Sequence, residues 1–166
     1  MLPKLKAFDV VIIDGLWYIP HHWPIRWRGF DNGVHAVTVR NEHGDIWNPV
    51  FTGIKEDNIK SYKGRKITIH RYKGELNMSK LLLLAQVVTS TSQGYDFIRQ
   101  WLFGFVLGLS SKTLVNDEHR WTCAEFPYWL FTYTGHKLTA KEETLPMPRL
   151  FRYNDHFECI FDGTYV

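Results

Sequence analysis

The chain has 166 residues and a formal net charge of +3, from 20 basic and 17 acidic side chains. Hydrophobic residues make up 45% and charged residues 22%, which is typical of a globular protein and excludes an intrinsically disordered or fibrous chain. The mildly basic balance does not indicate a nucleic-acid partner. Two cysteines are too few for a disulfide framework. We therefore expect one compact domain over residues 1–166.

The first half of the sequence predicts β-strands. The β-branched, apolar segment "FDVVIID" (8–14) is typical of a buried strand. A long loop is predicted over residues 15–33, because two prolines interrupt it and Asn32-Gly33 closes it. Three further strands are predicted, with the turn "NEHGD" joining the first two into a hairpin: "VHAVTVR" (34–40), "IWNPVFTGI" (46–54) and "KITIHRY" (66–72).

The second half predicts helices, so that the fold class expected for the whole chain is α+β. The three predicted helices are "NMSKLLLLAQVVTSTS" (77–92), "YDFIRQWLFGFVLGL" (95–109) and "TCAEFPYWLFTYTG" (122–135). An irregular tail over residues 139–155 and a last short strand, "FECIFDG" (157–163), complete the prediction.

The sequence also bears on where the protein is made. Its N-terminus has acidic residues within the apolar run and lacks the long hydrophobic region and cleavage site of a signal peptide. The run "KLLLLAQVV" (80–88) is too short to cross a bilayer. We expect no transmembrane segment and a cytoplasmic place of synthesis, from which lysis or carriage on a larger particle would release the protein.

Cys123 lies in the segment "TCAE", which has the pattern of a helix capping box. With Thr122 as the N-cap and Glu125 at the third helical position, Cys123 would be the first helical residue. Amide groups and the positive end of the helix dipole would favour its thiolate there and help to hold an oxyanion. Pro127 offers no N–H to the Cys123 carbonyl and should distort the first turn. The alternative interpretation is a cysteine buried beneath the neighbouring aromatic residues.

A thiol nucleophile needs a base, and His35 is the best candidate among eight histidines. It lies at the start of an apolar strand, which would hold the ring rigidly, although a purely structural histidine explains the position as well. Asn48 is the best candidate to orient the imidazole, because the hairpin can bring it beside His35. Asp45 and His43 are the fallback candidates. The structural alternative for Asn48 is a strand-end residue set by Pro49.

Taken in order, these segments resemble the circularly permuted papain-fold hydrolases of the NlpC-like superfamily, in the branch called YiiX-like or YebB-like. Each segment is a weak signal alone, but the ordered set covers nearly the whole chain. The matching segments are "FDVVIID", "GVHAVTV", "IWNPVFTGI", "ITIHRY", "GYDF", "CAEF", "LPMPRL" and "FECIFDG". The resemblance implies a permuted papain-like fold, in which an antiparallel sheet or barrel packs against a helical bundle.

The resemblance also implies a set of site residues and no metal or organic cofactor. The implied roles are nucleophile for Cys123, base for His35, orienting polar group for Asn48, and substrate or oxyanion region for Tyr95, Thr122 and Ala124. The sequence departs from the family pattern at four positions, one of which is Asn48, where the family usually has Glu. Ala124 follows the cysteine in place of the usual Ser, Thr122 precedes it where NlpC-type peptidases often have Asp, and Val34 replaces the Ser before the histidine. These departures bear on the substrate.

The activity implied is hydrolysis of an amide bond through an acyl-enzyme, in peptidoglycan stem peptides, other peptides or acyl amides. A second hypothesis is a thiol acyltransferase or lipase, whose acyl chains would bind the aromatic loop "LWYIPHHWPIRWRGF" (16–30), unless its tryptophans simply pack over the core. A third is a non-catalytic module that stacks bases or sugars on that loop. Without a long basic run, nucleic acid is the least favoured partner.

Overall fold

A computed structural model describes residues 2–16, 32–50, 52–92, 121–136, 138 and 146–166. Its strands are β1 (Val10–Asp14), β2 (Gly33–Val39), β3 (Asp45–Val50), β4 (Gly53–Asn58), β5 (Lys66–Tyr72) and β6 (Phe157–Thr164). A 3₁₀ turn (Ile59–Tyr62) follows β4, and the helices are α1 (Met78–Thr91), α2 (Glu125–Tyr133) and α3 (Arg149–Arg152). The strands form one antiparallel sheet in the order β4-β3-β2-β1-β5-β6. The fold class is α+β, as predicted.

Most predicted elements that fall on described residues are confirmed. Strands β1, β2, β5 and β6 and helices α1 and α2 occupy the predicted segments, with boundaries shifted by up to three residues. The Asn77 side chain caps α1 by accepting a hydrogen bond from the Lys80 N–H at 3.1 Å. The predicted helix over 95–109 and most of the predicted loop over 15–33 lie outside the described residues. None of the described helices is both long and apolar enough to cross a membrane.

The single strand predicted over 46–54 is wrong, because the segment forms parts of two strands. The chain reverses after β3, and β4 returns beside it with Val50 paired to Gly53 and Pro49 paired to Ile54. Gly53 permits the reversal, since its φ of +119° is strained for any residue with a side chain. Strand β4 was missed because "GIKEDN" is mostly polar and lies at an edge of the sheet.

Two further expectations are corrected by the structure. The predicted barrel is not found in the described part of the chain: the sheet is open, because β4 pairs only with β3 and β6 only with β5, and closure requires the edge strands to pair. The predicted irregular tail contains the short helix α3, which begins directly after Pro148. Proline is well suited to that position because it needs no hydrogen-bond partner for its nitrogen.

Alternate residues of the central strand β1 point to opposite faces of the sheet, and both faces are covered. Val10 and Ile12 pack on one face with α1 and α2, whose buried residues include Leu81, Ala85, Phe126, Leu130 and Phe131. Val11 and Ile13 pack on the other face, which we call the second face, with residues of the neighbouring strands and with Ile59 of the 3₁₀ turn. Tyr62 also packs against this second face.

Charged side chains anchor both ends of β1. Asp9 receives a bidentate pair of hydrogen bonds from Arg71 at 2.8 and 2.7 Å. Asp14 accepts from Arg152 at 2.8 Å, and its backbone carbonyl accepts from Arg65 Nη2 at 2.7 Å. Because both aspartates are buried, these partners offset the cost of removing the carboxylates from water. The end of β1 that pairs with the start of β2 is therefore held from two sides.

The packing of α1 predicts a contrast between two leucines on the same helix. Leu81 is 0% exposed and Leu83 is 62% exposed. We expect Leu81→Ala to lower the free energy of unfolding by about 2–5 kcal/mol, because it leaves a cavity, and Leu83→Ala by about 0.5 kcal/mol or less. Urea unfolding of the two variants measures both values. Equal losses would contradict the described orientation of α1.

Candidate active site

His35 and Asn48 lie on the same face of the sheet because of the register between β2 and β3. Thr38 pairs with Trp47 and Val39 with Ile46, and no further pairs join these strands. The same register extended would set Asn48 opposite Val37, two residues from His35, so that the side chains are diagonal neighbours. His35 Nε2 lies 2.8 Å from Asn48 Oδ1. The predicted contact between the two residues is present.

The turn "NEHGD" fixes this register. Asn41 Oδ1 accepts hydrogen bonds from the backbone N–H groups of His43 at 3.0 Å and Asp45 at 3.2 Å. Gly44 has a φ of +84°, and a Cβ on it would lie 2.8 Å from the Ile59 side chain. Glycine is therefore required here both by the backbone conformation and by the space. A tight turn of defined geometry sets which residues of the hairpin face each other.

The capping box predicted around Cys123 is present. The Thr122 backbone N–H donates to Glu125 Oε2 and the Glu125 N–H donates to Thr122 Oγ1, each at 3.2 Å. The backbone N–H and the hydroxyl of Thr122 are thus engaged in the cap. Thr122, Cys123 and Ala124 are each 0% exposed. The Ala124 N–H remains the candidate oxyanion donor at this helix terminus.

The prediction that Cys123 is the first helical residue is wrong by two positions. Helix α2 begins at Glu125 with Ala124 as its N-cap, and Cys123 lies in the preceding turn. The Phe126 N–H donates to the Thr122 carbonyl at 3.3 Å and the Tyr128 N–H to the Ala124 carbonyl at 3.2 Å. The intervening bond to the Cys123 carbonyl cannot form because Pro127 has no N–H. The regular hydrogen-bond pattern of the helix is therefore interrupted in this turn.

Cys123 interacts directly with His35, and the interaction changes the proton affinity of the ring. Burial lowers the pKa of His35, but hydrogen bonding and charge attraction from Cys123, together with the hydrogen bond to Asn48, outweigh it and raise the pKa above the ordinary histidine value. Because the Asn48 amide oxygen accepts from Nε2, Nδ1 is the ring nitrogen left for the thiol. This arrangement favours an imidazolium–thiolate pair.

Three residues that the sequence analysis did not identify also contribute to this site. Asp57 Oδ2 accepts a hydrogen bond from Asn48 Nδ2 at 3.1 Å. The Tyr62 ring lies 6.3 Å from the His35 ring, and burial and the Asp57 charge raise the pKa of the phenol to about 12, which keeps it protonated. The positive charge of Arg65 acts on His35 in the opposite sense to Cys123 and lowers its pKa.

These three residues carry no signal in the sequence. They lie in the polar segment "KEDNIKSYKGR", which is typical of a solvated turn. Their approach to His35 depends on the pairing of β4 with β3 and on the 3₁₀ turn that follows, and neither was predicted. Tyr95, the remaining predicted site residue, lies outside the described residues.

Asp45 and His43, the fallback candidates for the orienting role, make other contacts. Asp45 accepts hydrogen bonds from Asn41 and Asn58, which lower the pKa of its carboxyl group, and His43 lies in the exposed turn. The second cysteine, Cys159, is exposed on β6, and neither cysteine forms a disulfide. Of the polar side chains considered for this role, Asn48 is the one in hydrogen-bond contact with His35.

The fold and the site together define an α+β protein with a Cys–His–Asn constellation between a helix start and two strands. No protein-family model matches the chain, and no curated protein matches it. The fold is similar to the crystal structure of the metalloprotein YiiX (DUF1105) from Escherichia coli O157:H7. The TM-score is 0.71 over 98% of this chain and 99% of that chain, at 14% sequence identity. At this identity the similarity shows the fold alone.

The contact between Cys123 and His35 predicts an unusual titration of the thiol. In a Cys159→Ser background we expect Cys123 to be a thiolate well below pH ~8.5, the range of a free cysteine, because the imidazolium stabilises the anion. Adding His35→Ala should raise its apparent pKa, because the buried thiolate would lose the imidazolium beside it. Ultraviolet absorbance of the thiolate across pH measures this, and a Cys123→Ser protein supplies the background. Identical titrations with and without His35 would contradict the pairing.

Proposed function

We propose that this chain is a single-domain cysteine hydrolase with a circularly permuted papain-like fold, and that it cleaves amide bonds. One observation carries the proposal: the His35 ring stands between the Cys123 thiol on one side and the Asn48 amide oxygen, 2.8 Å away, on the other. A nucleophile, a base and an orienting group in this sequence of contacts form the constellation of cysteine peptidases. The proposed triad is Cys123, His35 and Asn48.

The chain order of the three residues supports the permuted form of the papain-like fold. His35 and Asn48 come from strands near the start of the chain, and Cys123 comes from the turn before α2, much later. The order of histidine before cysteine is the mark of the permuted branch that the sequence resembles. The fold shared with YiiX spans nearly the whole of both chains, as this interpretation requires.

In the first half of the proposed reaction, Nδ1 of His35 accepts the thiol proton and the Cys123 sulfur attacks the carbonyl carbon of the scissile amide. The negative charge moves to the carbonyl oxygen, where the Ala124 N–H and the positive end of α2 stabilise it. As the intermediate collapses, the imidazolium donates its proton to the leaving nitrogen. The amine leaves and the acyl group stays on Cys123 as a thioester.

In the second half, neutral His35 accepts a proton from water, whose oxygen attacks the thioester carbonyl. The carbon–sulfur bond breaks, and the proton held by the ring returns to the sulfur. The product is a carboxylic acid and the enzyme is restored. Asn48 accepts the Nε2–H throughout, so that the same ring nitrogen faces the sulfur in both halves.

A resident metal is not part of this proposal. The structural neighbour YiiX is described as a metalloprotein, and we therefore tested whether the donors here fit an ion. No group of three or more His, Cys, Asp or Glu residues in the described part of the chain is placed to hold a metal. The third group beside Cys123 and His35 is a neutral amide, whereas catalytic zinc sites take three His, Cys or carboxylate ligands. The donor set does not fit such a site.

The proposed substrates are peptides, peptidoglycan stem peptides or acyl amides. Mass spectrometry of products after incubation with peptidoglycan, peptide amides and lipid esters tests this range. New carboxylic acid and amine termini from an amide substrate would support the proposal. Release or transfer of a fatty acyl group alone would favour a lipase or acyltransferase, and unchanged substrates with an ordinary Cys123 titration would favour a binding module.

Loss of the nucleophile and loss of the base should have the same consequence. We expect Cys123→Ala and His35→Ala each to reduce hydrolysis at least ~10³-fold, and the double variant to be no worse than either single one, because the pair acts as a unit. Initial rates with the best substrate found above measure this. Circular dichroism of each variant is the control. Independent, multiplying losses would contradict a shared mechanism, and an unfolded His35→Ala would indicate a structural histidine.

The orienting role of Asn48 predicts a smaller effect. We expect Asn48→Ala to lower turnover roughly five- to tenfold, the worth of one hydrogen bond, because the base remains but loses its fixed orientation. Asn48→Gln should recover little, since one added methylene displaces the acceptor. Asp45→Ala is the matched control on the same hairpin: it loses contacts with Asn41 and Asn58 but none with His35, and it should lower turnover less than Asn48→Ala. A larger effect from Asp45 than from Asn48 would overturn this assignment.

A further inference from the structure

The Asn48 amide can accept a hydrogen bond from His35 Nε2 in only one of its two orientations. Its oxygen accepts the Nε2–H, which leaves Nδ1 free to take the thiol proton. Turned by 180°, the amide would present its NH₂ group, and Nε2 would have to accept. The ring proton would then sit on Nδ1, facing the sulfur, and an imidazolium would lack an acceptor on that side. The two ends of the amide have nearly the same shape, so packing alone does not select one.

The contact with Asp57 favours one of the two orientations of the Asn48 amide. Its Oδ2 accepts from Asn48 Nδ2 at 3.1 Å, and a carboxylate without a proton can face only the NH₂ end of an amide. Ile46 pairs with Asp57 and Asn48 with Lys55 across the β3–β4 ladder. Asp57 and Asn48 are therefore diagonal neighbours on the second face of the sheet, as Asn48 and His35 are across β2 and β3.

Asp57 is itself held in place by two other donors. The Asn58 N–H donates to Oδ1 at 2.7 Å. The Ser61 hydroxyl lies 3.2 Å from Oδ2 and 2.9 Å from the Asn58 carbonyl oxygen, so its one proton is shared between two acceptors. Oδ1 is therefore bonded to the backbone at the start of the 3₁₀ turn, whereas Oδ2 is shared between Ser61 and Asn48. Substitution of Ser61 removes the local contact of Oδ2 and leaves its contact with Asn48 in place.

We propose that Asp57 is a positioning residue, which fixes the Asn48 amide with its oxygen toward His35 and so sets which nitrogen of the His35 ring faces Cys123. The chain of contacts is carboxylate, amide, imidazole and thiol, and it runs across three neighbouring strands to the start of α2. The neutral phenol of Tyr62 also forms a hydrogen bond with Asn48, but a hydroxyl can donate or accept and so does not select either orientation of the amide. The charge of Arg65 acts on the His35 ring. The proposal extends the proposed function, but its test needs no substrate.

The decisive variant is Asp57→Asn, which keeps the size of the side chain and replaces an acceptor by an amide that can face either way. We expect the His35 pKa to fall by about one unit, the scale of one hydrogen bond to a charged group, and the Cys123 thiolate to titrate correspondingly higher. Above the ring pKa, part of the His35 population should carry its proton on Nδ1. Nitrogen-15 NMR of the histidine rings and thiolate absorbance in a Cys159→Ser background measure these changes.

Two matched controls separate this role from charge and from local structure. Asp45→Asn removes the same charge from the same hairpin without touching Asn48, and Ser61→Ala removes the other side-chain donor to Asp57. Asp45→Asn should leave the His35 ring unchanged, and Ser61→Ala should shift it less than Asp57→Asn, because the contact of Ser61 with Asp57 is the longer of its two hydrogen bonds. Asp57→Ala, checked by circular dichroism, should shift the ring at least as far as Asp57→Asn. A wild-type His35 tautomer and pKa in folded Asp57→Asn, or an equal shift in either control, would overturn the proposal.

Discussion

The site depends on the register between β2 and β3, which is set by two residue pairs. Thr38 opposite Trp47 and Val39 opposite Ile46 place His35 and Asn48 on one face, and a slip by one residue would turn Asn48 to the other face. At the turn end the Arg40 N–H also donates to the Asp45 carbonyl at 2.7 Å. Toward His35 the two strands form no further pairs, and His35 and Asn48 meet through their side chains instead. The Asn41 turn and the two apolar faces of the sheet hold this register, so that core packing and site geometry are set together.

The position of the Cys123 thiol depends less on strand pairing than on contacts between residues close to it in the sequence. The capping box of Thr122 and Glu125 fixes the turn that carries Cys123, and Pro127 prevents that turn from becoming regular helix. Cys123 is 0% exposed, so burial alone would oppose its thiolate. The His35 ring is the group that can compensate for this burial, because its interaction with Cys123 raises the pKa of the ring. Each partner therefore stabilises the charged form of the other.

Short-range patterns in the sequence were sufficient to predict the strands and helices with a clear hydrophobic pattern, and also the capping box. Alternation in "KITIHRY" and the capping box in "TCAE" are short-range patterns, and both are found where predicted. The predicted hairpin also brought Asn48 near His35, because the lengths of the turn and strands are enough to predict which residues lie side by side. Strand β4 and the contact from Asp57 could not be predicted, because a polar edge strand has no apolar period and its register arises only from pairing. Whether the sheet is open or closed depends on whether its two edge strands pair, and no short-range sequence pattern predicts this.

The central claim is that Cys123 is a nucleophile activated by His35, and covalent acylation tests it most directly. The protein is mixed with an activated ester near neutral pH and quenched in acid, and the acyl group is located by peptide mass spectrometry. We expect an acyl group on Cys123 of the wild-type protein and none on that residue in His35→Ala. Acylation confined to Cys159 and lysines, or equal acylation of Cys123 with and without His35, would contradict it.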